Sequence, residues 1–357
     1  MRVKEKTKIM QSEHWIVVIG ASAGGTQALL ELVKQLPAEL NAAVLVVQHI
    51  PAHTPSNLAQ VLQHHTDFKV VNATNGERIR PGTIYCAVAD HHLLVEGEEI
   101  VVTKGPKENR FRPSVDALFR SAAYHYRRRV IGVVLSGALN DGTSGMWAIK
   151  RMGGTSMIQL RSEARFDSMP ASVAKYTDID YELPAAELAG PIHSITQRTP
   201  GMHKSDHTPN LETERFLRAE INIARGANAL ENGVLDHGVF SPLTCPDCHG
   251  ALTEYKEGNL RRYRCHTGHG HTSETLLTGI NENVEKSMWE VMRGLEESQL
   301  LLNHMAEVHT QSGKPGLARE YQNRAGHLAK SAQIVKAAIL NQHPATGQSD
   351  GQGVNAK

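Results

Sequence analysis

Short apolar runs rich in Val and Ile recur through the first half of the chain, at 15–20, 43–48, 69–73, 83–87, 130–136 and 155–159. They are too short for helices and lack strict alternation, so they read as strands covered on both faces. Between them the apolar period lengthens to three and four residues, over 26–35 before Pro37 and over 56–64, 114–127, 143–152 and 171–176. Such alternation predicts an α/β fold with a doubly wound, mostly parallel sheet. Residues 91–103 read instead as a β-hairpin turning at 96–98. A polar segment over 1–14 precedes this domain, which covers 15–195. The stretch 196–211, with Pro200, Gly201 and Pro209, then reads as a linker.

A helix is predicted over 212–226, and a window holding three cysteines follows it; together they make a small module over 212–275. Leu276, Leu277, Ile280, Val284, Met288, Val291 and Leu295 then fall at helical spacing, as do Leu317, Tyr321, Leu328 and Val335. With 312–316 between them, these stripes predict an αα-hairpin over 276–341. The stripes are core or a seam for a partner, a second copy of the chain included. The remainder, 342–357, is rich in Gly, Gln and Asn and reads as a disordered tail.

Composition narrows the function. At 357 residues the chain suits one sizeable domain with a smaller module. Lys and Arg total 38 against 37 Asp and Glu, which leaves no electrostatic footprint for nucleic acid. The one basic run, Arg127, Arg128 and Arg129, reads as a solvated helix end. No run approaches the ~20 apolar residues of a membrane span, and the start lacks the apolar stretch of a signal peptide, so a cytoplasmic location is expected. Of four cysteines, Cys86 sits in an apolar run and reads as an inert core thiol, whereas Cys245, Cys248 and Cys265 cluster.

Candidate chemistry lies at three strand ends. The first strand opens into Gly20-Ala21-Ser22-Ala23-Gly24-Gly25 and a helix, the Gly-x-Ser-x-Gly pattern of a nucleophile elbow. A phosphate-binding loop would look similar, but a dinucleotide fold places an acid after its second strand, and here that strand ends in His49. A third strand opens into Gly137-Ala138-Leu139-Asn140-Asp141-Gly142, where Asp141 would either cap the next helix or serve a site. Because sites of open α/β sheets form at the carboxyl ends of strands, the three together predict a Ser-His-Asp hydrolase with Ser22 as nucleophile, His49 as base and Asp141 as its support.

The segments IGASAGG, VVQHIP, GERIRPGTIYCAVADHHL, NRFRPSVDALFRSAA and GVVLSGALNDGTSGMWAIKRMGG resemble the CheB protein-glutamate methylesterases of bacterial chemotaxis, collinearly over 15–192. The resemblance implies hydrolysis of glutamate γ-methyl esters on chemoreceptors, often with glutamine deamidation, and a triad of Ser22, His49 and Asp141. It gives Arg112, Pro113 and Ser114 a supporting place and covers Met169-Pro170, which also reads as a turn before a helix. Two positions depart from the family pattern: Ala138 stands where methionine is usual near the oxyanion region, and Ala23 where threonine is usual. Both keep their backbone N–H. The family's receiver domain does not appear in the chain, so control by aspartyl phosphorylation within it is not expected.

Cys245-Pro-Asp-Cys248 and Cys265-His266-Thr-Gly-His269 flank a hairpin-like stretch and predict a structural Zn²⁺ site of Cys245, Cys248, Cys265 and His269. His266 is the alternative fourth ligand, with His249 and His271 behind it. A redox dithiol at Cys245 and Cys248 competes, but no thioredoxin-like βαβ pattern surrounds it. For the whole chain, a non-enzymatic adaptor keeping the esterase fold, or a hydrolase of another ester, compete with the methylesterase.

Overall fold

The computed structural model describes residues 14–54, 56–198, 210–233 and 236–342. The expectations for 1–13, for most of the linker and for the tail from 343 lie outside them. Two compact units are formed, Met1–Leu277 and Thr278–Lys357.

In chain order the first unit runs β1 (Trp15–Ala21), α1 (Gly25–Gln35), β2 (Ala42–Gln48), α2 (Leu58–Gln63), β3 (Lys69–Asn72), β4 (Thr83–Cys86), β5 (His92–Glu96), β6 (Glu99–Thr103), α3 (Val115–Tyr126), β7 (Val130–Val134), α4 (Thr143–Arg151), β8 (Thr155–Gln159), α5 (Ser168–Tyr176), β9 (Tyr181–Leu183) and α6 (Ala189–Thr196). It continues with α7 (Leu211–Ala224), β10 (Val239–Thr244), β11 (Ala251–Glu257), β12 (Leu260–Cys265) and β13 (Gly270–Thr272). Two long helices follow, α8 (Ser273–Gln311) and α9 (Pro315–Gln342).

The main sheet has the order β3-β4-β2-β1-β7-β8-β9. All of its pairings are parallel. Every residue of β1, β2 and β7 is buried, which explains their unbroken apolar runs. On one face Val17, Ile19, Val44 and Val46 pack with Leu29, Leu32 and Ile192. On the other, Ile16, Val18, Leu45 and Val47 meet Leu118, Phe119, Ile149 and Val173. Successive connections leave β1 in opposite directions, to β2 first and later to β7, so the winding reverses beside β1, where open α/β sheets place their sites.

Several expectations shift. β9 pairs with β8 at the sheet edge and was not anticipated. α5 begins at Ser168, taking Met169 and Pro170 into its first turn, where proline is tolerated. Arg127 is not simply solvated: its guanidinium pairs with Glu214 of α7 at 2.9 Å. The hairpin-like stretch is a complete antiparallel sheet, β10-β11-β12-β13. Cys86 is fully buried, and burial pushes its thiol up to about 12, consistent with inertness. Among the described residues, no helix is long and apolar enough to cross a membrane.

Candidate active site

β2, β1 and β7 are neighbours, so their carboxyl ends lie side by side, and each is followed by one of the three predicted residues. The Ser22 N–H continues the ladder by donating to Ser136 O at 3.0 Å, and the His49 N–H donates to Ala21 O at 3.0 Å. Gly24 then turns the chain into α1 with φ 72°, a conformation that favours glycine. Gly137 admits no side chain: an added Cβ would stand 2.1 Å from Met169 Sδ and 2.8 Å from Ser22 Cβ. Met169, fully buried, thus backs the turn beside the serine.

The three side chains meet. His49 Nδ1 is 3.1 Å from Ser22 Oγ, and His49 Nε2 is 2.8 Å from Asp141 Oδ2. Since an ionised carboxylate only accepts, Nε2 carries the proton and Nδ1 turns its lone pair toward the serine. Phe111 stacks on the imidazole, ring centroids 3.7 Å apart at 10°, fixing its plane and covering it from water.

Asp141 does not cap the helix that follows it. Its Oδ2 also accepts from the Val115 N–H at 2.7 Å, while Oδ1 accepts from Ser114 Oγ at 2.9 Å, Asn109 Nδ2 at 2.9 Å and the Asp116 N–H at 3.2 Å. It therefore satisfies the amino terminus of α3. Asp116 reciprocates for α4, accepting from the Gly142 and Gly145 N–H groups at 3.0 and 2.6 Å. Burial would raise Asp141, yet hydrogen bonds from His49, Asn109 and Val115 hold it below its usual value. Asp116 moves the other way: burial, then the charge of Asp141, pushes it up to about 7. Asn109 Nδ2 bridges the two carboxyls, lying 2.7 Å from Asp116 Oδ2.

A cleft of about 340 Å³ opens over Ser22 and His49, with Pro51, Lys107, Arg110 and Phe111 in its wall. Arg112 shapes that wall, donating to Asp90 through Nε at 2.9 Å and to Gly105 O at 2.7 Å. Ser114 supports Asp141, as above, and Pro113 follows a cis peptide bond. Sequence reasoning missed Asn109 and Phe111 as individuals. Their only signal was membership of the NRFRPS segment.

Cys245, Cys248, Cys265 and His269 offer donor atoms that all lie within 4.8 Å of one another. Cys265 Sγ is 3.6 Å from both Cys248 Sγ and His269 Nδ1. Three thiols and an imidazole converging in two tight turns fit a metal ion. His266 and His249 join no such group among the described residues. His271 lies 3.5 Å from Cys245 Sγ and 3.4 Å from Asp247 Oδ2, belonging to a second, smaller group.

Beside the cluster, Arg262 and Arg264 of β12 are fully buried with Arg120 of α3, facing Glu108, Glu220 and Glu257. Burial alone would raise Glu108, but Arg120, Arg264 and Arg262 hold it well below the carboxylate range. Arg264 Nη2 touches Glu108 at 3.2 Å and Glu220 at 2.5 Å, so replacing it strands buried charge. Arg264→Met is expected to cost about 3–5 kcal/mol in urea unfolding; a loss under 1 kcal/mol would contradict this account.

A hydroxyl, an imidazole and a carboxylate in line at adjacent strand ends of a doubly wound sheet form the arrangement of a serine hydrolase. The CheB methylesterase family matches residues 17–192. A protein-glutamate methylesterase/protein-glutamine glutaminase of Methanosarcina acetivorans is 40% identical over 188 residues, 50% of this chain and 53% of its own length. A Leptospira interrogans relative is 34% identical over 174 residues, 48% of this chain and 90% of its own length. The CheB methylesterase catalytic domain of Thermotoga maritima is similar in structure, with TM-score 0.50 and 33% identity, covering 52% of this chain and 100% of that one. The chain belongs to the CheB methylesterase family. It spans about half the length of the first curated relatives it matches, 53% and 54%.

Proposed function

We propose that this protein hydrolyses glutamate γ-methyl esters on a chemoreceptor-like protein, and deamidates selected glutamines, through Ser22, His49 and Asp141. The observation that carries this reading is the continuous hydrogen-bonded line from Ser22 Oγ through His49 to Asp141. Ser22 Oγ attacks the ester carbonyl as His49 Nδ1 takes its proton; collapse of the tetrahedral intermediate expels methoxide, which His49 protonates to methanol. Water then attacks the acyl-enzyme by the reverse proton path and releases glutamate. With glutamine the leaving group is ammonia.

The Ser22 N–H is already donated to Ser136 O, so the oxyanion is assigned to the N–H groups at Ala23 and Ala138, beside the serine and the Gly137 turn. Lys107 and Arg110 on the cleft wall suit a substrate surface carrying free carboxylates next to the ester. A cytoplasmic location is proposed with it, since three of the four cysteines gather as a metal-ligand cluster and not as a disulfide framework.

We assign Zn²⁺ to Cys245, Cys248, Cys265 and His269, where it would cross-link the turns of the small sheet; four protein donors leave no open position for catalysis. In the second unit, Val284, Val291, Leu300, Leu301 and Ile334 are exposed on α8 and α9 and are proposed as the seam for a second copy.

Covalent labelling by a fluorophosphonate tests the catalytic reading. An activated serine labels at Ser22, whereas an adaptor that only keeps the fold stays unlabelled.

A further inference from the structure

The cleft wall that carries Asn109 and Phe111 is not held by the parallel-sheet domain alone. Its partner is the turn that carries a metal donor. His269 stands between Gly268 and Gly270, and both neighbours grip the wall. Gly268 packs so closely on Pro106 that an added Cβ would come within 2.8 Å of Pro106 Cγ. The Gly270 N–H donates to Lys107 O at 3.2 Å, and the Asn109 N–H donates to Gly270 O at 2.7 Å, making a parallel bridge between the wall and β13.

Asn109 needs this grip. It is fully buried with φ 50°, a left-handed conformation that costs an ordinary residue energy unless neighbours enforce it. So held, its amide reaches Asp141 at 2.9 Å, two residues before Phe111 stacks on His49. Further ties run the same way. Thr275 Oγ1 donates to Asn109 Oδ1 at 3.4 Å, and Thr272 Oγ1 donates at 2.9 Å to Oδ1 of Asn140, the neighbour of Asp141.

We propose that the Cys245, Cys248, Cys265 and His269 cluster is a metal-dependent latch on the esterase: the bound ion fixes the 268–270 turn, which positions Asn109 and Phe111, which in turn hold Asp141 and His49 in register with Ser22. The inference rests on the triad and zinc assignments above. It adds that the module sets the reactivity of the serine, with Asn109 as a positioning residue. A tie of this kind around a reacting group is worth on the order of 10–100-fold.

The test uses the full chain loaded with Zn²⁺ and then stripped with a chelator. Stripping is expected to speed amide exchange at Asn109 and Phe111 at least tenfold, to leave the β1 and β2 amides protected, and to slow fluorophosphonate labelling of Ser22 about tenfold; added Zn²⁺ restores both. His269→Cys, which keeps a donor, should bind Zn²⁺ and label normally, while His269→Ala should behave as the stripped chain. Asn109→Ala should label slowly when loaded, shift the pH profile of labelling, and slow less on stripping than the parent does, since only the Phe111 contact with His49 is left to lose. Labelling and exchange that ignore Zn²⁺ would overturn the latch itself. A chain that binds no Zn²⁺ would overturn it at the metal site, a loaded chain that never labels would overturn it at the triad, and loss of β1 and β2 protection on stripping would mean general unfolding instead of a latch.

Discussion

Methanol release from a methylated receptor fragment is expected to fall on the order of 10⁴–10⁶-fold in Ser22→Ala, because in the proposed mechanism the substitution removes the atom that forms the acyl-enzyme. His49 and Asp141 cannot substitute: the imidazole lies under Phe111, and the carboxylate is fully buried beneath six hydrogen-bond donors. Main-chain donors at the turn would still polarise the ester, so a residual rate above the uncatalysed one is expected. The fold should be indifferent, since the Ser22 hydroxyl contacts His49 and closes no buried network. A melting transition within about 1 kcal/mol of the parent is therefore expected beside the lost activity. Methanol release that persists at the parent rate would place the nucleophile elsewhere.

What could be read from the sequence follows from how local each cause is. β1, β2 and β7 declare themselves because burial on both faces leaves only apolar residues, and the residues at their ends inherit a position from the topology alone. The convergence of Ser22, His49 and Asp141 was legible for that reason. β9 was not, because a three-residue strand at the sheet edge carries no period. In β12, Leu260-Arg-Arg-Tyr-Arg-Cys looks like a surface strand. Arg262 and Arg264 are in fact fully buried, neutralised by Glu108, Glu220 and Glu257. One of these carboxylates lies more than 150 residues away in the chain. Asn109 was hidden for the same reason: its place depends on Gly270, a contact that no local pattern encodes. Arg127 went from a solvated end to an ion pair because α7 passes over it.

Asp141→Asn should lower turnover on the order of 10⁴-fold while leaving every reacting atom in place. The cause is the direction of one hydrogen bond. A carboxamide has one accepting and one donating end, and the Oδ1 position faces four donors, from Ser114, Asn109, Asp116 and Gly142. The oxygen must settle there, which turns the NH₂ toward His49 Nε2 and the Val115 N–H. His49 then accepts at Nε2 and carries its proton on Nδ1, facing Ser22, where a base is needed. The stranded Val115 N–H should also cost about 1–3 kcal/mol of stability.

That cost depends on pH through Asp116. In the parent, Asp116 binds its proton more tightly folded than unfolded, so its contribution is complete below its ordinary value of 3.8 and is lost as pH rises toward about 7. Removing the charge of Asp141 relaxes the upward shift, and the variant loses less over the same range. The stability gap between parent and variant, measured by urea unfolding, should therefore be wider at pH 5 than at pH 8. A gap that is the same at both pH values, or that grows with pH, would mean that the two carboxyls do not sense each other's charge across the Asn109 amide they share.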